Sequence, residues 1–164
     1  LHYSGSHDFG LSAVLRTMNF YKNASLYLPY ADELLSYSKW VFLMFLFIFM
    51  VIFKKSNIIK LALITYLLFL TFYFGISAQY LSWILAFAVL RKDKMIIPYT
   101  IFGTAAMSGF YMYFNPTILL FQLSSIQPYL PQFMQVYVIG NLFFWLTLFL
   151  WLLILIKKNR LRYG

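Results

Sequence analysis

Residues 74–85 read FGISAQYLSWIL, and this short polar stretch decides how the surrounding chain can fold. The stretch joins two apolar runs, residues 58–74 and 77–90, and overlaps both of them. One helix across both runs would contain 33 residues, or about 50 Å at 1.5 Å per residue, well beyond the ~30 Å hydrocarbon core of a membrane. We therefore predict a break near Gly75 with a separate helix on each side.

The composition indicates a membrane protein. Hydrophobic residues make up 63% of the chain and charged residues 10%, which leaves too little polar surface for a soluble fold. The apolar runs approach the roughly 20 residues that a spanning helix needs, and they are too continuous for alternating barrel strands. We predict an all-α, polytopic membrane helix bundle of about five transmembrane helices, at residues 35–53, 58–74, 77–90, 95–114 and 133–156.

The positions of the cations predict the orientation of this bundle. With five spans, ten of the thirteen Lys and Arg lie on one face: Lys54, Lys55, Lys60, Arg91, Lys92, Lys94, Lys157, Lys158, Arg160 and Arg162. The positive-inside rule makes that face cytoplasmic. The net charge of +9 therefore reflects topology, and it needs no nucleic acid to explain it. We predict a multi-pass protein, in the plasma membrane, with its N-terminus outside and its C-terminus in the cytoplasm.

The ends of the chain lie outside the predicted bundle. Residues 1–34 form an extracytoplasmic segment, in which helical spacing of apolar residues over 10–21 predicts a short amphipathic helix. Pro29 is expected to end or redirect the chain before Asp32. Residues 157–164 form a basic cytoplasmic tail. Because the chain starts outside without a targeting pattern, we expect residues 1–164 to be the C-terminal part of a longer polytopic protein.

The third span carries the polar residues of most interest. Residues 77–90 cover only about 21 Å as a helix, so the outer end of this span is expected to lie below the membrane surface, where it must be covered by protein or line a water-filled cavity. Gln79, Tyr80 and Trp83 are three or four residues apart and would share one helical face. Together they could line an aromatic-walled pocket for a sugar ring. The alternative is an ordinary interfacial belt with a Gln at the helix mouth.

Residues 74–90 also resemble a motif of a known protein family. The run FGISAQYLSWILAFAVL resembles a signature of polytopic bacterial glycosyltransferases of the GT-C superfamily, in which a small-residue turn, a Gln-Tyr pair and a Trp open a late membrane helix. Eukaryotic GPI mannosyltransferases of the first mannose step have a similar SQYFLWYL-type run. The stretch HDFGLSAVLR, residues 7–16, is similar to the loop before the late helices of the bacterial proteins. One residue departs from the pattern: Ala86 precedes Phe87 where the bacterial run has a proline.

The resemblance implies the C-terminal membrane portion of a GT-C enzyme. Such an enzyme transfers a sugar, with mannose the first candidate, from a polyprenyl-phosphate donor to an acceptor on the extracytoplasmic face. An acidic residue of its first outer loop acts as general base, and basic or metal-held groups contact the donor phosphate. The implied partners are the lipid bilayer, the lipid-linked sugar donor, and missing N-terminal helices or a partner membrane subunit.

The candidate residues within the present chain follow from the two motifs. Asp8 is the candidate for a base or cation ligand, although a solvated His7–Asp8 pair is the ordinary alternative. The candidates for substrate binding are Gln79, Tyr80, Trp83, Ser77, His7 and Arg16. The sequence has no evident cofactor motif, metal-ligand spacing, phosphate loop or dinucleotide fingerprint. A divalent cation on the donor phosphate is compatible with the family but not indicated by these residues.

Other features have packing interpretations, and other function classes stay open. Ala105 and Gly109 form a small-xxx-small step that predicts a helix-packing face, and Asn141 predicts an interhelical hydrogen bond. A noncatalytic integral-membrane subunit would explain an incomplete catalytic set. A small-solute transporter component would need charged or helix-breaking residues deep in several spans, where the sequence offers only the Gly75 hinge.

Overall fold

The structure, a computed structural model, describes residues 9, 13, 28–54, 56–73, 76, 79–114 and 131–163. For residues 28–35, 79, 131, 132 and 159–163 it describes the backbone alone. The elements within this part of the chain are all helices, so the all-α prediction is confirmed. In chain order they are α1 (Leu28–Ile52), α2 (Ile58–Phe72), α3 (Gln79–Leu90), α4 (Ile96–Phe114) and α5 (Pro131–Tyr163).

The break that the 74–85 stretch predicts is confirmed. α2 ends at Phe72, and its C-cap residue Tyr73 has an extended backbone (φ −85°, ψ 139°) while its N–H still donates to the Phe69 carbonyl at 2.9 Å. Ile76 is also outside any helix, and the next helix starts at Gln79. Gly75 itself lies outside the described residues. The long single span through residues 58–90 is therefore excluded.

Two helices extend further than the sequence predicts. α1 begins at Leu28, so the expectation that Pro29 would end or redirect the chain is wrong. Pro29 falls in the first helical turn, where its missing N–H would have had no helical partner and its fixed φ suits the helix. α5 continues through the basic residues to Tyr163, so the stretch described above as a tail is helical there. The amphipathic helix predicted within residues 10–21 lies outside the described residues, except for Ala13.

Consecutive helices run antiparallel. Phe45 of α1 stacks on Phe72 of α2 with ring centroids 4.4 Å apart, while Lys60 near the start of α2 lies 4.6 Å from the Phe53 ring that follows α1. This alternation brings the 53–57 turn, the 91–95 turn and the C-terminal part of α5 to the same end of the bundle. We call it the basic end, since most of the chain's cations are there.

α4 and α5 form the most extensive helix pair because small residues let their backbones approach. A Cβ on Gly109 would lie 2.7 Å from the Tyr137 Cα, and a Cβ on Gly140 would lie 3.1 Å from the Ala105 carbonyl oxygen. The packing face predicted at Ala105 and Gly109 is thus confirmed. All five helices contribute to one core; Phe49, Leu67, Ile84, Tyr99 and Leu148 are examples.

A tight turn joins α3 to α4. The Lys92 N–H donates to the Val89 carbonyl at 2.9 Å and the Asp93 N–H to the Ala88 carbonyl at 3.1 Å, which is the hydrogen-bond pattern of a Schellman motif. Lys92 has φ 51°, the left-handed conformation that glycine usually supplies there. The Asp93 carboxylate then accepts from the Met95 N–H at 3.2 Å. This turn makes α3 and α4 a helical hairpin.

Among the described helices, one is both long and apolar enough to cross a membrane by itself: residues Phe133–Lys158 of α5, 26 residues with a mean hydropathy of 2.3. Three shorter apolar helices, Ser36–Ile52, Ile58–Phe72 and Tyr80–Leu90, have 10–17 residues each. These lengths and compositions are weak evidence of a membrane association.

Candidate functional site

A connected set of aromatic rings runs along α1, α2 and α3 from the end opposite the basic end. We call it the aromatic cluster, and its members are Phe42, Tyr66, Phe69, Tyr73, Tyr80, Trp83 and Phe87. Tyr80 and Trp83, both on α3, meet edge to face with centroids 5.1 Å apart and planes at 88°. Tyr80 also meets Phe69 of α2 at 5.5 Å, at 82°. Edge-to-face contacts of this kind are favourable beyond the area they bury, so they fix the orientation of these rings.

Trp83 is the ring of the aromatic cluster that reaches furthest outward. Its side chain is 48% exposed, while Tyr80 is only partly exposed. The Tyr66 ring supports Trp83 from α2 at 6.1 Å and 84°. A large aromatic surface that is held from behind and open in front can pack against the apolar face of a sugar ring or a lipid chain.

The second feature is an open groove of about 390 Å³ between α3 and α4. Its apolar lining comes from Leu81, Leu85, Gly103 and Met107, and its hydroxyl lining from Ser82, Tyr99, Thr100, Thr104 and Tyr111. The Tyr99 hydroxyl donates to the Leu81 carbonyl at 2.5 Å, and the Thr100 hydroxyl donates to the Ile96 carbonyl of its own helix at 2.8 Å. The groove exists because α3 and α4 pack sparsely along the rest of their length.

The two features lie on different sides of α3. Successive residues of a helix are 100° apart, which separates Tyr80 and Trp83 from Leu81, Ser82 and Leu85. The structure therefore brings Tyr80 and Trp83 together on one face, as the sequence predicts, but the groove opens on another face. The hydroxyl residues of the groove were missed. A signal was present, because Thr100, Thr104, Met107 and Tyr111 repeat at helical spacing along α4.

Several candidate residues cannot be located. His7, Asp8, Arg16 and Ser77 lie outside the described residues, and for Gln79 only the backbone at the start of α3 is described. Two neighbours of these candidates are informative. Phe9, from the 7–16 motif, is fully buried with its ring 5.0 Å from that of Phe110, near the end of α4. Ile76, from the 74–85 stretch, is fully buried in the same core.

Polar atoms inside the bundle are mostly paired within it. The Trp145 indole N–H of α5 donates to the Thr71 carbonyl of α2 at 3.2 Å. Asn141, however, does not form the interhelical hydrogen bond that we predicted. Its Nδ2 donates to the Tyr137 carbonyl one turn earlier at 2.9 Å, and its buried Oδ1 has no donor. The amide bonds within its own helix, beside the close contact between Gly140 and the α4 backbone, and a carbonyl one turn earlier is the nearest acceptor a helical Asn side chain can reach.

No group of three or more His, Asp or Glu side chains that could hold a metal ion occurs in the described part of the chain. No protein-family model, no curated protein and no solved structure matches the sequence at a significant level. The two motifs and the geometry around them are therefore the basis for assigning a function.

Proposed function

We propose that this chain is the membrane-embedded C-terminal portion of a GT-C-type glycosyltransferase, and that its aromatic cluster binds the sugar of a polyprenyl-phosphate donor. The observation that carries the proposal is the convergence of two sequence motifs. Phe9 of the 7–16 motif and Ile76 of the 74–85 stretch are buried in one core, away from the basic end. One described residue from each segment that resembles the family is thus buried in the same core, and this supports the proposal.

The polytopic arrangement is part of this proposal, and the exposed surface supports it. All five helices expose large apolar side chains. Phe47 of α1 is 73% exposed, and Ile58 of α2, Val89 of α3 and Ile101 of α4 are also exposed. A soluble monomer rarely exposes so many large apolar side chains, whereas lipid covers them without cost. α4 has no charged residue in its 19 residues, about 28 Å at helical rise.

The orientation follows from the charges. The basic end faces the cytoplasm under the positive-inside rule, so the part of the aromatic cluster around Tyr73 and Tyr80 lies towards the extracytoplasmic side. A plasma membrane with the N-terminal segment outside is the corresponding location. Lys39 and Trp40 flank the outer part of α1, with the ammonium 5.3 Å from the indole ring, an arrangement suited to a headgroup region.

The mechanism assigned to these residues is binding. Trp83 offers its exposed face to the sugar, and Tyr80 holds Trp83 from the side. Gln79 and Ser77 would supply hydrogen bonds to hydroxyl groups, and His7 and Arg16 would contact the donor phosphate. The general base is assigned to a loop outside this chain, with Asp8 as the candidate within it.

The test compares two tryptophans in membranes that contain the full protein. Trp83→Ala removes the exposed ring of the aromatic cluster on α3. Trp40→Ala is the control, because it removes a ring that is 63% exposed on α1, outside the aromatic cluster. Transfer from polyprenyl-phosphate mannose should fall about tenfold or more for Trp83→Ala, equivalent to about 1.4 kcal/mol in the barrier, at equal membrane yield. Trp40→Ala should stay near wild type.

Equal losses in the two variants would make Trp83 an ordinary interfacial residue. Absence of transfer by the full wild-type protein with mannose and other hexose donors would favour a noncatalytic membrane subunit instead. Passage of a small solute through vesicles that contain the protein would favour a transporter component.

A further inference from the structure

We propose that the α3–α4 hairpin binds one anionic phospholipid at the basic end of the bundle, with the lipid phosphate at the 91–95 turn and one acyl chain in the groove. This site is distinct from the sugar site, which lies towards the opposite end. It rests on the membrane placement proposed above but not on the sugar chemistry.

The turn between the two helices supplies the charge. Arg91, Lys92 and Lys94 are three cations within four residues, and the intervening Asp93 is buried and accepts from the Met95 N–H. Within the described residues, no acidic side chain forms an ion pair with these three cations. The Arg91 Nε is also buried without an acceptor. A turn with three cations and no ion pair to a described residue is suited to a phosphate, which accepts several charge-assisted hydrogen bonds.

The backbone conformation at Lys92 also supports a role for the charge at this position. Lys92 adopts the left-handed conformation at φ 51°, in which glycine has a lower backbone conformational energy than a residue with a Cβ atom. A charged side chain therefore occupies a site that backbone energetics alone would give to glycine.

On α4 the groove begins at Tyr99, one turn after the 91–95 turn, whereas on α3 its nearest lining residue, Leu85, lies six residues or about 9 Å before Arg91. Its lining on α4 runs from Tyr99 to Tyr111, twelve residues or about 18 Å at helical rise, starting one turn after α4 begins. One leaflet contributes about half of the ~30 Å hydrocarbon core, so an acyl chain of ordinary length fits this distance.

The width of the groove favours a chain over a helix. Its volume of about 390 Å³ over about 18 Å corresponds to a mean cross-section of about 20 Å². A helix about 10 Å across has a cross-section of about 80 Å², several times this value, so the groove fits a narrow chain better than a helix. The hydroxyls of Tyr99 and Thr100 already donate to backbone carbonyls, so hydrocarbon beside these two residues leaves neither hydroxyl without an acceptor.

The experiment measures lipid binding to the full protein by native mass spectrometry from detergent, with phosphatidylglycerol and phosphatidylcholine of identical chains. The wild type should prefer phosphatidylglycerol. The variant Arg91→Gln/Lys92→Gln/Lys94→Gln should lose at least about tenfold in affinity for phosphatidylglycerol and keep its affinity for phosphatidylcholine. The matched control, Lys54→Gln/Lys157→Gln/Lys158→Gln, removes three cations from the same end but not from the hairpin, and should keep the preference.

A second pair of variants tests the groove. Thr104→Phe fills it from an exposed position on α4 and should weaken binding of both lipids, whereas Ile139→Phe enlarges an exposed residue of α5 and should not. Equal binding of the two lipids by the wild type, or equal losses in hairpin variant and control, would overturn the proposal. Displacement of phosphatidylglycerol by equimolar polyprenyl phosphate would also overturn it, in favour of the donor lipid. Retention of the protein in alkali-washed membranes checks the membrane placement separately.

Discussion

The Tyr99 hydroxyl of α4 donates to the Leu81 carbonyl of α3 across 2.5 Å, and the Tyr99 ring also lies 5.8 Å from the Trp151 ring of α5. One buried side chain therefore connects three helices. Leu81 lies near the start of α3, whereas Tyr99 lies near the start of the antiparallel α4, so the bond joins the distant ends of the two helices. It crosses beside the groove and holds its two walls at a fixed separation.

Removing this hydroxyl should loosen the α3–α4 hairpin. For Tyr99→Phe we expect a loss of about 1 kcal/mol in the free energy of unfolding, because the ring packing stays and only the hydrogen bond goes. That corresponds to a fall of about 2–4 °C in Tm for a chain of this size, measured by circular dichroism in detergent. Tyr37→Phe, at an exposed tyrosine of α1, is the control, and an equal fall there would contradict the assignment.

The α4–α5 contact should distinguish two glycines. Gly109→Ala puts a Cβ 2.7 Å from the Tyr137 Cα, so two helix backbones must separate, and we expect a cost of about 1–3 kcal/mol. Gly103→Ala meets only the Phe144 ring at 3.3 Å, and a side chain can yield, so the cost should be smaller. Thermal unfolding of both variants under the same conditions measures the difference, and the reverse order would argue against this close approach.

Lys92→Gly should raise stability while it lowers lipid affinity. Glycine relieves the left-handed conformation at φ 51°, and we expect a gain of about 0.5–1 kcal/mol in the free energy of unfolding. The same variant removes one cation from the proposed phosphate site. A gain in Tm together with weaker phosphatidylglycerol binding would separate the conformational role of this residue from its charge. Lys94→Gly, outside the left-handed region, should not stabilise.

Asn141 should tolerate an apolar replacement of similar size. Its Oδ1 is buried without a donor, and the carbonyl that accepts from its Nδ2 lies on the same helix. Asn141→Leu should therefore leave stability unchanged or raise it by about 1 kcal/mol, because an unsatisfied polar atom is removed. Asn141→Ala should cost about 2 kcal/mol or more, since it leaves a cavity. A large loss for Asn141→Leu would indicate a polar partner for Oδ1 in the folded protein.

Particular residues explain how much could be predicted. The break after Phe72 could be predicted from the sequence, because a 33-residue helix that is apolar along nearly its whole length exceeds the bilayer thickness and conflicts with the placement of Arg91, Lys92 and Lys94. The packing role of Gly109 could also be read, because small residues four apart let helices approach. The start of α1 could not be predicted, because proline occurs both at the end of a loop and in the first turn of a helix, and Pro29 fits either position.

The candidate site, too, could be predicted from the sequence only in part. That Tyr80 and Trp83 share a face follows from their spacing on α3, and the structure agrees. Their separation from the groove did not follow, since it depends on which side of α3 meets α2 and which side meets α4. The direction of the Asn141 amide likewise did not follow, because the amide bonds to a carbonyl of its own helix rather than to a neighbouring helix.

The sequence by itself determined that this chain is helical, where its third helix begins and which end of the bundle is basic, because these depend on local periodicity, chain length and the order of charges. Only the tertiary structure decided that Phe9 and Ile76 enter one core, that Tyr99 bridges α4 to α3, and that a groove remains beside that bridge. These relationships join residues far apart in the chain, and side-chain volume and backbone approach set them rather than any local pattern.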